Sequence, residues 1–161
     1  MFNNKVLMIT GGTGSFGRKV LKRFLSTDVS EIRIFSRDEK KQEEMRTKYN
    51  NNRLKFYLGD VRDYNSIHQA MNGVHYVFHA AALKQVPSCE FYPLEAVNTN
   101  ILGAENVMNA ATAHNVESVV VLSSDKEVNQ INERGLSKAL MEKRMIAKDR
   151  TTKKGERILC Q

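Results

Sequence analysis

No stretch of 18 consecutive apolar residues occurs in this sequence, so no helix within it can span a bilayer. Cysteine is almost absent. Cys89 and Cys160 lie far apart with no metal-ligand spacing, which fits reduced, packed thiols better than a disulfide framework or a zinc site. The histidines His68, His75, His79 and His114 form no spacing with cysteines or carboxylates that suits a metal, and none is expected. There is no internal repeat, no low-complexity segment and no linker. The first ten residues carry a strand pattern rather than a charged-then-apolar secretory pattern, so a cytoplasmic location is expected.

What is present is an ordinary globular composition. Apolar residues make up 41% of the 161 and charged residues 27%, enough for one domain, 1–161, with a sizeable core. The net charge of +7 gathers late in the chain, in Lys138, Lys143, Arg144, Lys148, Arg150, Lys153, Lys154 and Arg157. No aromatic residues interleave with these cations as on a nucleic-acid surface, so they read as a solvated face that also attracts anionic nucleotides. No nucleic-acid partner is expected.

Short apolar runs at 5–10, 31–36, 54–58, 74–79 and 118–122 alternate with helical periodicities at 15–26, 38–49, 64–71, 92–114 and 131–150. This alternation predicts an α/β fold, a doubly wound parallel sheet with helices on both faces. A sixth strand begins at Glu156 and has hardly started when the sequence stops, so the sheet is expected to be incomplete at the C-terminus. An unfinished sheet would expose apolar surface and an unpaired edge, which predicts marginal stability or self-association.

The first strand runs into Gly11-Gly12-Thr13-Gly14-Ser15-Phe16-Gly17, and a helix opens at once behind it. Strand, glycine turn and helix start, in that order, make a cradle for a dinucleotide pyrophosphate. Gly11 permits the tight turn, Gly14 lets backbone N–H groups approach the phosphates, and Gly17 lets helix and strand pack closely. After the second strand, Ser36 and Arg37 stand where an acid would hold the ribose 2′-hydroxyl of NAD, with Lys40 and Lys41 a turn on. An arginine fork and a lysine suit a 2′-phosphate, so NADP is expected over NAD. Asp38 and Glu39 also complement the helix dipole, which is compatible with either cofactor. At the third strand end Asp60 can accept from the adenine amino group and Val61 can cover the ring. At the fourth, Ala80, Ala81 and Ala82 leave room for a cofactor to cross.

The runs ITGGTGSFG, EIRIFSRDEKKQ, LKFYLGDVRD, VFHAAALKQVPSCEFYPLEAVNTNILGAENV and LSKALMEK resemble the CapD/CapE-type extended short-chain dehydrogenases of capsular polysaccharide biosynthesis. Those Rossmann-like proteins are inverting UDP-N-acetylglucosamine 4,6-dehydratases, often labelled UDP-glucose 4-epimerases. The resemblance covers essentially the whole sequence and about the N-terminal half of such an enzyme. It implies a UDP-sugar substrate, a homo-oligomer, and a sugar-binding region that this sequence does not contain.

The resemblance further implies that Thr13, Gly14, Ser15 and Phe16 contact the pyrophosphate, that Ser36, Arg37 and Lys41 hold the 2′-phosphate, and that Asp60 and Val61 meet the adenine. Ala80 and Lys84 would face the ribose and nicotinamide, Lys84 and Val86 the sugar nucleotide, and Leu122 and Ser123 would lie under the nicotinamide. In Ser124-Asp125-Lys126 the aspartate would be the general acid and the lysine the general base, with Lys138 orienting the cofactor. Such a pair serves a 4-keto intermediate, the lysine removing the C5 proton while the acid protonates the departing C6 hydroxyl.

Beyond Lys126 the sequence departs from the family pattern. Arg134 stands where the family has Tyr or Met, Gln130 replaces a turn proline, and Glu127 adds a carboxylate beside the acid. An arginine stays protonated and cannot act as a base on the C4 hydroxyl. The expectation is therefore cofactor binding with impaired turnover, or binding with none.

Overall fold

The computed structural model describes residues 2–83 and 91–122, positions 140, 143, 146 and 147, and the backbone of 157–160. Six strands, β1 (Val6–Thr10), β2 (Glu31–Ser36), β3 (Leu54–Leu58), β4 (Tyr76–His79), β5 (Ser118–Val121) and β6 (Arg157–Cys160), form one sheet in the order β3-β2-β1-β4-β5-β6. Every pairing is parallel. The sequence thus forms the doubly wound Rossmann-like sheet it predicts, and its last run completes a four-residue ladder on β5.

Side-chain alternation along the central strands sorts the core into two layers. Leu7, Ile9, Ile32 and Ile34 pack with Val20 and Leu21 of α1 (Ser15–Leu25) and Met45 of α2 (Glu39–Tyr49). Met8, Phe35, Val77, Val119 and Val121 point the other way, onto α3 (Tyr64–Ala70) and α5 (Gly103–Ala113). Met8 and Ile9 are both fully buried, which is why β1 reads as an apolar run rather than as alternation. Each fully buried aliphatic side chain contributes about 1.5–3 kcal/mol.

Helix ends follow local chemistry. The Asp38 side chain caps α2 by accepting from the Lys41 N–H at 3.0 Å, and Asn50 closes that helix in the left-handed region at φ 38°. Beyond α1, Arg53 donates to the carbonyls of Leu25, Thr27 and Val29 at 2.7, 3.0 and 3.2 Å, fixing the turn into β2.

One expected helix differs from the pattern. Residues 92–114 read as continuous, but the structure divides them into α4 (Pro93–Val97), a π-helical turn (Asn98–Leu102) and α5. The wider turn spans Asn98, Thr99 and Asn100, residue types that compete with helical hydrogen bonding. Thr99 and Asn100 are nonetheless buried, because they face the loop after β4 rather than solvent. Among the described residues no helix is long and apolar enough to cross a membrane, and no three His, Cys, Asp or Glu side chains cluster as a metal site.

Candidate functional site

The strand order reverses between β1 and β4, because the chain leaves the β3 edge to start the second half on the other side of β1. In open α/β sheets the crevice beyond the carboxyl ends of the strands at this switch point is where ligands bind. A cleft of 790 Å³ lies there, within the usual size of a cofactor site. It draws residues from the ends of β1, β2, β3 and β4 and from the π turn.

At its centre two chain segments nearly touch. Gly11 has φ +65°, and a Cβ there would lie 2.7 Å from the Ala81 nitrogen and 2.8 Å from its Cα. Only glycine fits. Beneath this contact Thr10 and His79 stand opposite in register, and their Oγ1 and Nδ1 are 2.7 Å apart in a buried hydrogen bond. At Gly17 a Cβ would lie 2.6 Å from the Gly12 Cα, so the first turn of α1 sits directly against the glycine loop. The start of α1 carries no acid, and Lys22 and Arg23 occupy its last turn, a charge order that leaves the positive helix end to the cleft. Arg18 Nε holds the loop by donating to the Thr13 carbonyl at 2.9 Å.

Gly11, Thr13, Gly14, Ser15, Phe16 and Gly17 all line the cleft, as do Ser36, Arg37, Lys41, Asp60, Val61, Ala80 and Ala81. Leu122 lies at the end of β5, its N–H donating to the His79 carbonyl at 3.3 Å. Lys84, Val86, Ser123, Ser124, Asp125, Lys126 and Lys138 fall outside the described residues. The cofactor half of the expected site is thus brought together. The residues fit a dinucleotide on geometric grounds: Gly14 lines the cleft, and a Cβ there would meet nothing but the Gly11 carbonyl, at 3.2 Å, so its side of the cradle stays open to a phosphate.

The cations assigned to a 2′-phosphate are otherwise engaged. Lys41 Nζ is 2.7 Å from the Asp38 carboxylate, and Arg37 Nη1 is 3.5 Å from Asp60 Oδ2. The Ser36 hydroxyl accepts from Gln42 Nε2 at 3.2 Å. The hydrogen bond from the Lys41 side chain, then that from its backbone N–H, holds Asp38 below the usual carboxylate range. Burial works to raise the Asp60 pKa, but the Arg62 hydrogen bonds and the charges of Arg62 and Arg37 outweigh it and hold Asp60 low.

Several site residues escape a sequence reading. Thr99 lines the cleft, and Asn100, 1% exposed, grips Leu83 by both backbone groups, accepting from its N–H at 2.8 Å and donating to its carbonyl at 3.3 Å. Asn106 Nδ2 donates to the carbonyls of Val61 and Arg62, both at 3.0 Å. The available signal was a run of helix-weak amides within an apolar periodicity.

The sequence profile of polysaccharide biosynthesis proteins matches residues 7–161. UDP-glucose 4-epimerase of Rickettsia prowazekii is 67% identical over 99% of this chain and 48% of its own length, and that of Rickettsia felis 66% over the same shares. The chain thus spans about half the length of these relatives. The X-ray structure of Pen from Bacillus thuringiensis superposes with a TM-score of 0.94 at 34% identity, over 99% of this chain and 51% of that one. UDP-glucose 4-epimerase from Bifidobacterium longum, in complex with NAD+ and UDP, shares the fold at a TM-score of 0.83 and 20% identity, covering 97% and 52%. The Thermus thermophilus UDP-glucose 4-epimerase complex with NAD does so at 0.77 and 18%, covering 96% and 53%. These structures correct the expectation of NADP: solved proteins that share the fold hold NAD, and here Lys41 and Arg37 lie beside the Asp38 and Asp60 carboxylates.

Proposed function

The chain belongs to the polysaccharide biosynthesis protein family, and we propose that it is the dinucleotide-binding portion of a sugar-nucleotide epimerase or 4,6-dehydratase, holding NAD across the carboxyl ends of β1 to β4. The observation that carries this reading is the cleft at the β1/β4 switch point, with the Gly11 and Ala81 backbones in contact beneath it. NAD held there would supply a hydride acceptor for a sugar carbinol.

The chain's own residues divide the binding task. Gly11, Gly14 and the start of α1 receive the pyrophosphate, and Asp60 and Val61 receive the adenine. Residues 80–83 flank the nicotinamide side, held by Asn100. A UDP-sugar is the proposed substrate, on the strength of the 66–67% identity to the Rickettsia epimerases. Ser124, Asp125, Lys126 and Lys138, with Lys84, Val86, Leu122 and Ser123, are proposed for the reacting side from the sequence. A cytoplasmic location and assembly with further copies of the chain accompany this reading.

A second reading, NAD binding without turnover, is favoured by one residue. Arg134 stands where the family has Tyr or Met, and its fixed positive charge would oppose the positively charged nicotinamide ring. Calorimetric titration with NAD tests the shared premise, and absence of binding refutes both readings. Incubation with NAD and either UDP-glucose or UDP-N-acetylglucosamine separates them. Epimerised sugar by NMR, or loss of water by mass spectrometry, establishes an enzyme, whereas saturable binding with unchanged sugar establishes the binding module.

A further inference from the structure

We propose that Arg62 is a positioning residue that fixes the Asp60 carboxylate to receive an exocyclic amino group, and so makes the chain selective for the adenine end of its dinucleotide. The inference rests on the dinucleotide-binding reading above and adds a residue that lies outside the cleft lining.

Asp60 follows β3 on a loop, where an aspartate by itself samples several rotamers. Here Arg62 folds back onto it. The Arg62 backbone N–H donates to Oδ1 at 2.9 Å, while its Nε and Nη2 donate to Oδ2 at 2.9 and 2.7 Å. Oδ2 is therefore occupied by a guanidinium fork, with Arg37 Nη1 a further 3.5 Å away. Among the described residues, the Arg62 N–H is the one donor on Oδ1, so Oδ1 retains acceptor capacity on a residue that lines the cleft. An ionised carboxylate accepts and cannot donate. It therefore suits the 6-amino group of adenine and opposes the 6-oxygen of hypoxanthine.

Arg62 is itself anchored from two helices. Its Nη1 pairs with Glu95 on α4, and Asn106 on α5 holds the carbonyls of Val61 and Arg62. The adenine side of the cleft is thus fastened to the same helical segment whose π turn, through Asn100, fastens the loop after β4. Arg62 acts on the ligand through Asp60 alone.

The test compares NAD with nicotinamide hypoxanthine dinucleotide, in which an oxygen replaces that amino group and N1 carries a proton, by calorimetric titration of the full chain. Wild type is expected to bind NAD at least ~10-fold more tightly, the value of a hydrogen bond to a charged acceptor. Arg62→Met is expected to reduce this ratio below about threefold, and Arg62→Lys, which keeps the charge but loses the fork, to leave it in between. A purely structural role would weaken both ligands by one factor and preserve the ratio. That result in Arg62→Met, or in Arg62→Lys should the first variant not fold, overturns the proposal, as does a wild type that binds NAD without discriminating. A wild type that binds neither dinucleotide refutes the underlying reading before any variant is made, and the Arg62 assignment falls with it.

Discussion

Gly11→Ala and Gly73→Ala form a matched pair that isolates what the switch point requires. Both glycines have positive φ, +65° and +74°. An alanine in that region is strained by about 1–2 kcal/mol, partly offset by about 0.4–1 kcal/mol from a stiffer unfolded chain. At Gly73 nothing lies within 4 Å of the added Cβ, so the net cost is that strain alone, about 1 kcal/mol. At Gly11 the Cβ meets three backbone atoms, Ala81 N at 2.7 Å, Ala81 Cα at 2.8 Å and Ala80 C at 2.9 Å. Backbone cannot swing aside as a side chain can, and overpacking of this kind costs a further ~1–3 kcal/mol. Gly11→Ala should therefore destabilise by about 2–4 kcal/mol in all, against about 1 kcal/mol for Gly73→Ala. For a chain of this length that corresponds to melting shifts of roughly 4–16 °C and 2–4 °C. The relief of the collision parts the ends of β1 and β4, displacing the loop that receives the pyrophosphate. NAD affinity should accordingly fall at least ~10-fold in Gly11→Ala and stay unchanged in Gly73→Ala. Thermal unfolding monitored by circular dichroism, with NAD titration of each variant, reads both quantities. Equal melting shifts, or an unaltered NAD affinity in Gly11→Ala, would refute the claim that this close approach shapes the site.

Two further outcomes follow from the same geometry. Asn100→Ala removes the two hydrogen bonds on the Leu83 backbone and should lower the urea unfolding free energy by about 2–4 kcal/mol; a loss under ~0.5 kcal/mol would show that the π turn does not hold that loop. Glu117, on the N-terminal side of β5, is held below the usual carboxylate range by the hydrogen bond from Lys5 and, against the opposing effect of burial, by that from Tyr76. A depressed folded-state pKa contributes stability above the unfolded value near pH ~4.3, and that stability drains away as pH falls below it. Asp38 and Asp60 act in the same direction, so the informative quantity is the wild-type minus Glu117→Gln difference in unfolding free energy, which should shrink between about pH 5 and pH 3. A difference independent of pH over that range would show that the Lys5–Glu117–Tyr76 group contributes nothing through ionisation.

Much of this fold is legible along the chain because its signals are local. The runs at 31–36 and 54–58 coincide with β2 and β3, and the central strand β1 is buried on both faces, which prints as an apolar run. Asp38 marks the start of α2 by a capping bond that spans three residues. The π turn was not legible, since its cause is a partner 17 residues away: Asn100 leaves regular helix to bind Leu83. The choice of nicotinamide cofactor was misread for a related reason. Ser36, Arg37 and Lys41 have the composition of a phosphate site, but Arg37 and Lys41 also lie beside Asp60 and Asp38, and the solved structures that share the fold hold NAD.

The sequence by itself determined the alternation of strand and helix, the glycine turn behind β1, and most of the residues lining the cleft between Gly11 and Ala81. Each of these rests on backbone propensity or on periodicity, which neighbours in sequence settle among themselves. Tertiary structure alone decided what those residues can do. It joined Gly11 to Ala81 across the switch point, turned Arg62 onto Asp60, tied α4 and α5 to the loop after β3 and the π turn to the loop after β4, and set Arg37 beside Asp60. The physical reason is that charge and hydrogen-bond capacity belong to a side chain, whereas the partner that uses them is fixed only when distant strands and helices meet.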